Sequence, residues 1–141
     1  MLVGGGDDEE MLKLAARGLP NVIFSGFVEN VGDYLAAFDL FILPSRREGI
    51  GSILLDAMGQ ALPIVASRVG GVPEIVHHEK NGLLIGSERP DQLQDAICAL
   101  AGSPEVRRSM GKAGKEIARQ YTADVMARKY LELYKTALDG T

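Results

Sequence analysis

The sequence predicts an α/β fold built on a doubly wound, Rossmann-like parallel sheet, and three observations carry that expectation. Short apolar runs of strand length alternate with longer stretches of helical periodicity along the chain. Runs such as Leu40-Phe41-Ile42-Leu43 and Pro63-Ile64-Val65-Ala66 are continuously apolar, as strands covered on both faces are. Glycine-rich turns follow the apolar runs and open helices, the arrangement in which such sheets bind ligands beyond the carboxyl ends of their strands.

Taken in order, Met1-Leu2-Val3 reads as the end of a strand running into Gly4-Gly5-Gly6. Asp7, Asp8, Glu9 and Glu10 cap a helix with apolar positions at Met11, Leu12, Leu14 and Ala15, closed by Gly18-Leu19-Pro20. Gly4 and Gly6 begin like a dinucleotide fingerprint, but Glu stands at position 9 and four acids would repel a phosphate, so a tight βα turn is the reading kept. Val22-Ile23-Phe24 is the next strand, and a short helix near Val31 to Phe38 leads to the strand at Leu40.

Pro44 and Ser45 stop that strand, and Arg46, Arg47 and Glu48 follow. Gly49 and Gly51 leave the backbone bare around Ile50. From Gly51 the pattern turns helical, with Ile53, Leu54, Ala57, Met58 and Ala61 on one face and Ser52 and Asp56 on another. A helix N-terminus offers unpaired N–H groups and about half a positive charge. An anion near Gly51, with Glu48 and Asp56 accepting from hydroxyls on either side, describes a sugar nucleotide. An ordinary βα turn with a solvated glutamate accounts for the same residues.

Beyond this turn, 63–67 is a strand, Val69-Gly70-Gly71-Val72-Pro73-Glu74 a second glycine turn with Pro73 able to start a short helix, and Asn81-Gly82 a turn before the strand Leu83-Leu84-Ile85. His77 and His78 are adjacent and point apart on regular structure; with no cysteine nearby they read as exposed turn residues, and no metal site is expected. Three helices follow, 90–100, 104–121 and 123–138. Tyr130, Leu131, Leu133 and Tyr134 form an apolar stripe on the last, expected to pack on the core. The loops 26–30, 44–52 and 67–74 all follow strands and are expected to converge on one edge of the sheet.

Composition narrows the function. The chain has 141 residues and a net charge of −4, which suits one domain spanning 1–141. No dense Lys/Arg block is present, Arg107 and Arg108 fit a solvated helix face, and nucleic acid is not an expected partner. The single cysteine, Cys98, reads as a small buried hydrophobe, and a reducing cytoplasm is expected. No apolar run reaches membrane-spanning length; a peripheral contact with a membrane is compatible with the sequence.

With these residues in view, the chain resembles the C-terminal, donor-binding domain of retaining GT-B glycosyltransferases, the group that includes glycogen synthase. VIFSGFV at 22–28, DLFILPS at 39–45, EGIG at 48–51, LDAM at 55–58, LPIVAS at 62–67, GGVPE at 70–74 and NGLL at 81–84 stand in the family's order and spacing. GT-B sugar-nucleotide epimerases match these motifs less well. The family carries two glutamates separated by seven residues; Glu48 matches the first, and Asp56, one methylene shorter, stands at the second. The resemblance implies Glu48 at the donor sugar as the catalytic carboxylate, Gly49, Ile50, Gly51 and Ser52 at the sugar and diphosphate, Asp56 at the ribose, and Val28 and Glu29 framing the base. It implies a UDP-, GDP- or ADP-linked sugar as substrate, with no separate cofactor. It also implies that an acceptor domain, a basic diphosphate clamp and a first strand-helix unit lie outside these residues, since Met1 already matches the family's second strand. The expectation is therefore a glycosyltransferase piece with little or no activity alone, acting with its N-terminal acceptor domain or a partner chain and dimerising through the incomplete sheet. A non-catalytic nucleotide-sugar-binding module or a truncated remnant are the alternatives.

Overall fold

The computed structural model describes residues 1–139, in two compact units that divide between Tyr34 and Leu35. In the first unit, Leu2 and Phe24 form an isolated parallel bridge, with the Leu2 N–H donating to Ile23 O at 2.8 Å and the Ser25 N–H to Leu2 O at 3.0 Å. The strands expected at Met1–Val3 and Val22–Phe24 are thus reduced to single pairings. Beyond them the pairing changes sense: Gly4 and Gly26, with φ of 108° and 65°, form an antiparallel bridge in which the Gly4 N–H donates to Gly26 O at 2.9 Å. Helix α1, Glu9–Ala15, carries Glu9 and Glu10 in its first turn. Asp8 stands at its N-cap but makes no side-chain cap bond, so the acids favour the helix start through its dipole rather than by capping. Lys13 pairs with Glu9 at 2.9 Å. The apolar positions Met11, Leu12, Leu14 and Ala15 are all exposed. Helix α2, Val31–Ala36, contains the boundary between the units.

The second unit holds the sheet. Strands β1 (Phe41–Leu43), β2 (Ile64–Ser67) and β3 (Gly82–Ile85) are parallel and lie in the order β1-β2-β3, with Phe41 opposite Ile64 and Ile64 opposite Gly82. All four residues of β2 are buried, so successive side chains are covered on both faces, as the continuous apolar run predicts. Between β1 and β2 lies α3 (Ser52–Gly59), between β2 and β3 the short α4 (Val72–Ile75) with Pro73 in its first turn. Helices α5 (Pro90–Ala101) and α6 (Pro104–Ala118) follow, then a 3-10 turn at Arg119–Tyr121 and α7 (Ala123–Asp139).

The core gathers Val65 and Ile85 from the sheet, Ala96 and Leu100 from α5 and Met110 from α6. Helix α6 approaches the turn after α3 so closely that a Cβ on Gly111 would lie 1.8 Å from the Ala61 carbonyl oxygen, and one on Gly114 3.3 Å from Met58 Cγ. Asn81 is fully buried and satisfied: its Nδ2 donates to Ile75 O at 3.1 Å and its Oδ1 accepts the His77 N–H at 2.7 Å. It ties α4 to the start of β3.

Three expectations are corrected. The α7 stripe is not core: Tyr130, Leu131, Leu133 and Tyr134 are each more than half exposed, because α7 leaves the body of the unit after the 3-10 turn. Cys98 is exposed, since the buried face of α5 runs through Ala96 and Leu100 and position 98 falls on the other side. Arg107 is half-buried rather than solvated, and its Nη1 donates to Leu100 O at 2.7 Å and Ala101 O at 2.8 Å, closing the C-terminus of α5.

Candidate functional site

The turn from Ser45 to Ser52 joins β1 to α3. Pro44 ends the strand, and Glu48 is half-buried three residues beyond Ser45. Its carboxylate is held at both oxygens. Ser45 Oγ donates to Oε2 at 3.2 Å, and the Gly49 N–H donates to Oε1 at 3.2 Å. Gly51 stands at the N-cap of α3 in the left-handed region, φ 69°, where a side chain is strained. A Cβ there would also lie 3.3 Å from Glu48 Cγ and 3.1 Å from Leu54 Cδ1, so glycine makes room for the glutamate stem. No side chain caps α3. The Leu54 N–H turns back to Gly51 O at 2.8 Å. The amides ahead of it in the first turn have no intrahelical acceptor, as in any helix, and face an N-terminus without a carboxylate of its own.

The second glycine turn lies directly against this one. The Gly71 N–H donates to Gly49 O at 2.8 Å. Gly70 has φ 51°, and a Cβ on it would lie 1.8 Å from the Glu48 carbonyl oxygen. The loops 44–52 and 67–74 therefore do meet, backbone against backbone. The loop after β3 joins them through Arg46, whose Nε lies 3.2 Å from Glu88 Oε1; both side chains are exposed. Arg47 is exposed and makes no ion pair among the described residues.

Of the expected site residues, Glu48, Gly49, Ile50, Gly51 and Ser52 form this one turn, with Ile50 more than half exposed and Ser52 exposed. Asp56 is exposed one turn further along α3. Val28 and Glu29 belong to the first unit, half-buried and exposed respectively. The Gly4–Gly6 turn borders a cavity of about 270 Å³ lined by Asp7, Asp8 and Glu9, a setting that disfavours an anion. His77 and His78 are exposed, and His78 Nδ1 accepts the Leu84 N–H at 3.0 Å. Among the described residues no group of three or more His, Cys, Asp or Glu could hold a metal ion. Sequence reasoning missed Ser45; a hydroxyl three residues before a glutamate in a turn is the signal that was there to read.

Chemically, the Ser45–Ser52 turn offers amide donors at a helix start beside a carboxylate that accepts. It sits on a parallel α/β sheet, at the carboxyl end of a strand, which is the class of site that takes nucleotides and their conjugates. Residues 1–103 match the family model for glycosyl transferases group 1, and the chain belongs to that family. It is 30% identical over 142 residues to N-acetyl-alpha-D-glucosaminyl L-malate synthase from Bacillus anthracis, an alignment covering 98% of this chain and 37% of that protein. Sucrose-phosphate synthase from Thermosynechococcus elongatus superposes with a TM-score of 0.87 at 27% identity, covering 99% of this chain and 38% of that one. HepE of Anabaena in complex with UDP superposes with a TM-score of 0.83 at 26% identity, over 96% of this chain and 40% of that one. The chain thus spans about two fifths or less of the length of these relatives. It has the GT-B glycosyltransferase fold of its neighbours.

Proposed function

We propose that this chain binds the donor of a retaining glycosyl transfer, a sugar linked to UDP, GDP or ADP, and that the Glu48–Ser52 turn is where the sugar and diphosphate sit. The observation that carries the reading is the arrangement of that turn: a half-buried carboxylate fixed at both oxygens, next to the uncapped first turn of α3. Glu48 accepts from hydroxyls of the donor sugar. The amides of Ile50, Gly51 and Ser52 meet the diphosphate, and Asp56 accepts from the ribose. UDP in the HepE complex supports a nucleotide as part of the ligand.

In such a transfer the bond from the anomeric carbon to the diphosphate oxygen breaks, a bond from that carbon to an acceptor hydroxyl oxygen forms, the hydroxyl proton goes to the released diphosphate, and negative charge builds on that leaving group as the bond breaks. Fixed amides and a helix N-terminus stabilise that charge without reorganising. Glu48 orients the sugar, so that the acceptor meets the anomeric carbon from one face. These 141 residues span 37% of the Bacillus anthracis relative, and we expect them to bind donor without turning it over by themselves. Affinity is modest, since Arg46 is engaged by Glu88 and few cations stand by to neutralise a diphosphate. Titration calorimetry with UDP, GDP and ADP and their glucose conjugates tests this. Binding of at least one pair is expected. No heat with any of them at millimolar concentration contradicts a preformed donor site.

A further inference from the structure

We infer that Ser45 is a positioning residue that sets the preference of this site for a sugar-bearing nucleotide over the bare nucleotide, by fixing the Glu48 carboxylate. The inference rests on the reading above that Glu48 meets the donor sugar.

Three features of the structure converge on it. Ser45 follows Pro44, whose ring fixes its own backbone, at the end of the hydrogen-bonded strand β1, so the hydroxyl is mounted on a rigid support. That hydroxyl donates to Glu48 Oε2 at 3.2 Å while the Gly49 N–H donates to Oε1 at 3.2 Å. A carboxylate with one donor on each oxygen cannot rotate freely, and its remaining acceptor positions keep fixed directions. The backbone behind it is fixed as well, through the Gly71 N–H on Gly49 O at 2.8 Å and the contact of Gly70 with the Glu48 carbonyl. Side chain and main chain of Glu48 are therefore held by separate partners.

The consequence is one of selectivity. A fixed carboxylate gains with neutral hydroxyls, whose donors can meet its free lone pairs, and gains nothing with a diphosphate, which repels it. Without the Ser45 hydroxyl, Glu48 keeps only the neighbouring Gly49 amide and turns about its side-chain torsions. Ordering it again on sugar binding then costs conformational entropy. The amides of the turn are untouched by that change, so the two ligands respond differently.

The test uses the 141-residue chain, isotope-labelled, with UDP and UDP-glucose as probes. Affinities are measured for the wild type and for Ser45→Ala, Ser45→Thr and Glu48→Gln, and amide exchange at Gly49 is followed without ligand. We expect Ser45→Ala to lower the ratio of UDP-glucose to UDP affinity by about threefold to tenfold, the scale of one typical net hydrogen bond. Ser45→Thr, which keeps the hydroxyl, is expected to restore the ratio to within about twofold. Exchange at Gly49 should quicken in Ser45→Ala and not in Ser45→Thr. An unchanged ratio and unchanged exchange in Ser45→Ala, beside a ratio lowered by Glu48→Gln, overturns the role of Ser45 alone. A ratio that neither substitution moves overturns the placement of Glu48 at the sugar, and with it the proposed function. A Ser45→Thr variant that behaves like Ser45→Ala shows a packing effect and also overturns the inference.

Discussion

The Glu48 carbonyl oxygen occupies the place where a side chain on Gly70 would begin, 1.8 Å from the ideal Cβ position. Together with the Gly71 N–H on Gly49 O, this contact makes two glycine turns, distant in sequence, into one structural unit. The first turn displays the candidate site. The second cannot bear a side chain at Gly70, because a Cβ there pushes the first turn away.

Gly70→Ala is the direct consequence to check. The left-handed backbone at φ 51° costs alanine on the order of 1 kcal/mol, and relieving the overlap with Glu48 requires the backbone to shift. We expect a total loss of about 2–4 kcal/mol in urea unfolding. A loss under about 0.5 kcal/mol shows that the two turns separate freely.

Helix α7 leads to a second expectation. From Ala123 to Leu138 only Val125 is better than exposed, so the helix adds little buried area to the unit. Deleting the residues after Thr122 should lower the melting midpoint by no more than about 4 °C, equivalent to roughly 1 kcal/mol or less. A larger drop contradicts the exposure of the Tyr130–Tyr134 stripe.

A pH dependence follows from Asp91. The Arg89 guanidinium, with Nε donating to Asp91 Oδ1 at 2.9 Å, holds this carboxyl down at about 2, and the Gln92 amide adds to the effect. An unfolded aspartate titrates near about 3.9. The folded value is depressed, so the stabilisation is fully present above about pH 4 and disappears as pH falls from about 4 through about 2. Wild type should exceed Asp91→Asn in denaturant midpoint at neutral pH, by a small and salt-screened margin at this exposed site, and match it below pH 2. A difference that is constant across this range contradicts the pairing.

How far the sequence could be read follows from what each residue responds to. The strands at 41–43, 64–67 and 82–85 were legible as unbroken apolar runs, but the expected cover on both faces holds along the whole of β2 only: β1, at the edge of the three-stranded sheet, is half-buried throughout. Helix α3 was legible from its apolar spacing, and the site turn from two glycines bracketing an exposed isoleucine. The stripe on α7 showed that an apolar face exists; periodicity carries no information about what covers it. Cys98 misled because an apolar stretch of α5 contains both faces of the helix. Arg107 was read from its charge, whereas its position after a short connection decides that it closes α5. The pairing of the first unit changes from parallel at Leu2 and Phe24 to antiparallel at Gly4 and Gly26, whose positive φ angles a sequence permits without requiring. The hydrogen bond from Ser45 and the contact at Gly70 depend on the turn's exact path through space, and residue types alone do not record that path.

The central claim is that the turn from Glu48 to Ser52 receives the diphosphate and sugar of the donor. Amide resonances of the labelled chain, followed during addition of UDP-glucose, test it most directly. The account predicts that the largest shifts in the second unit fall on Gly49, Ile50, Gly51, Ser52 and Ile53, the amides at and before the first turn of α3, and that Glu48→Gln reduces them. Shifts that leave these five residues unmoved while UDP-glucose binds elsewhere, or a spectrum unchanged at millimolar ligand, would contradict it.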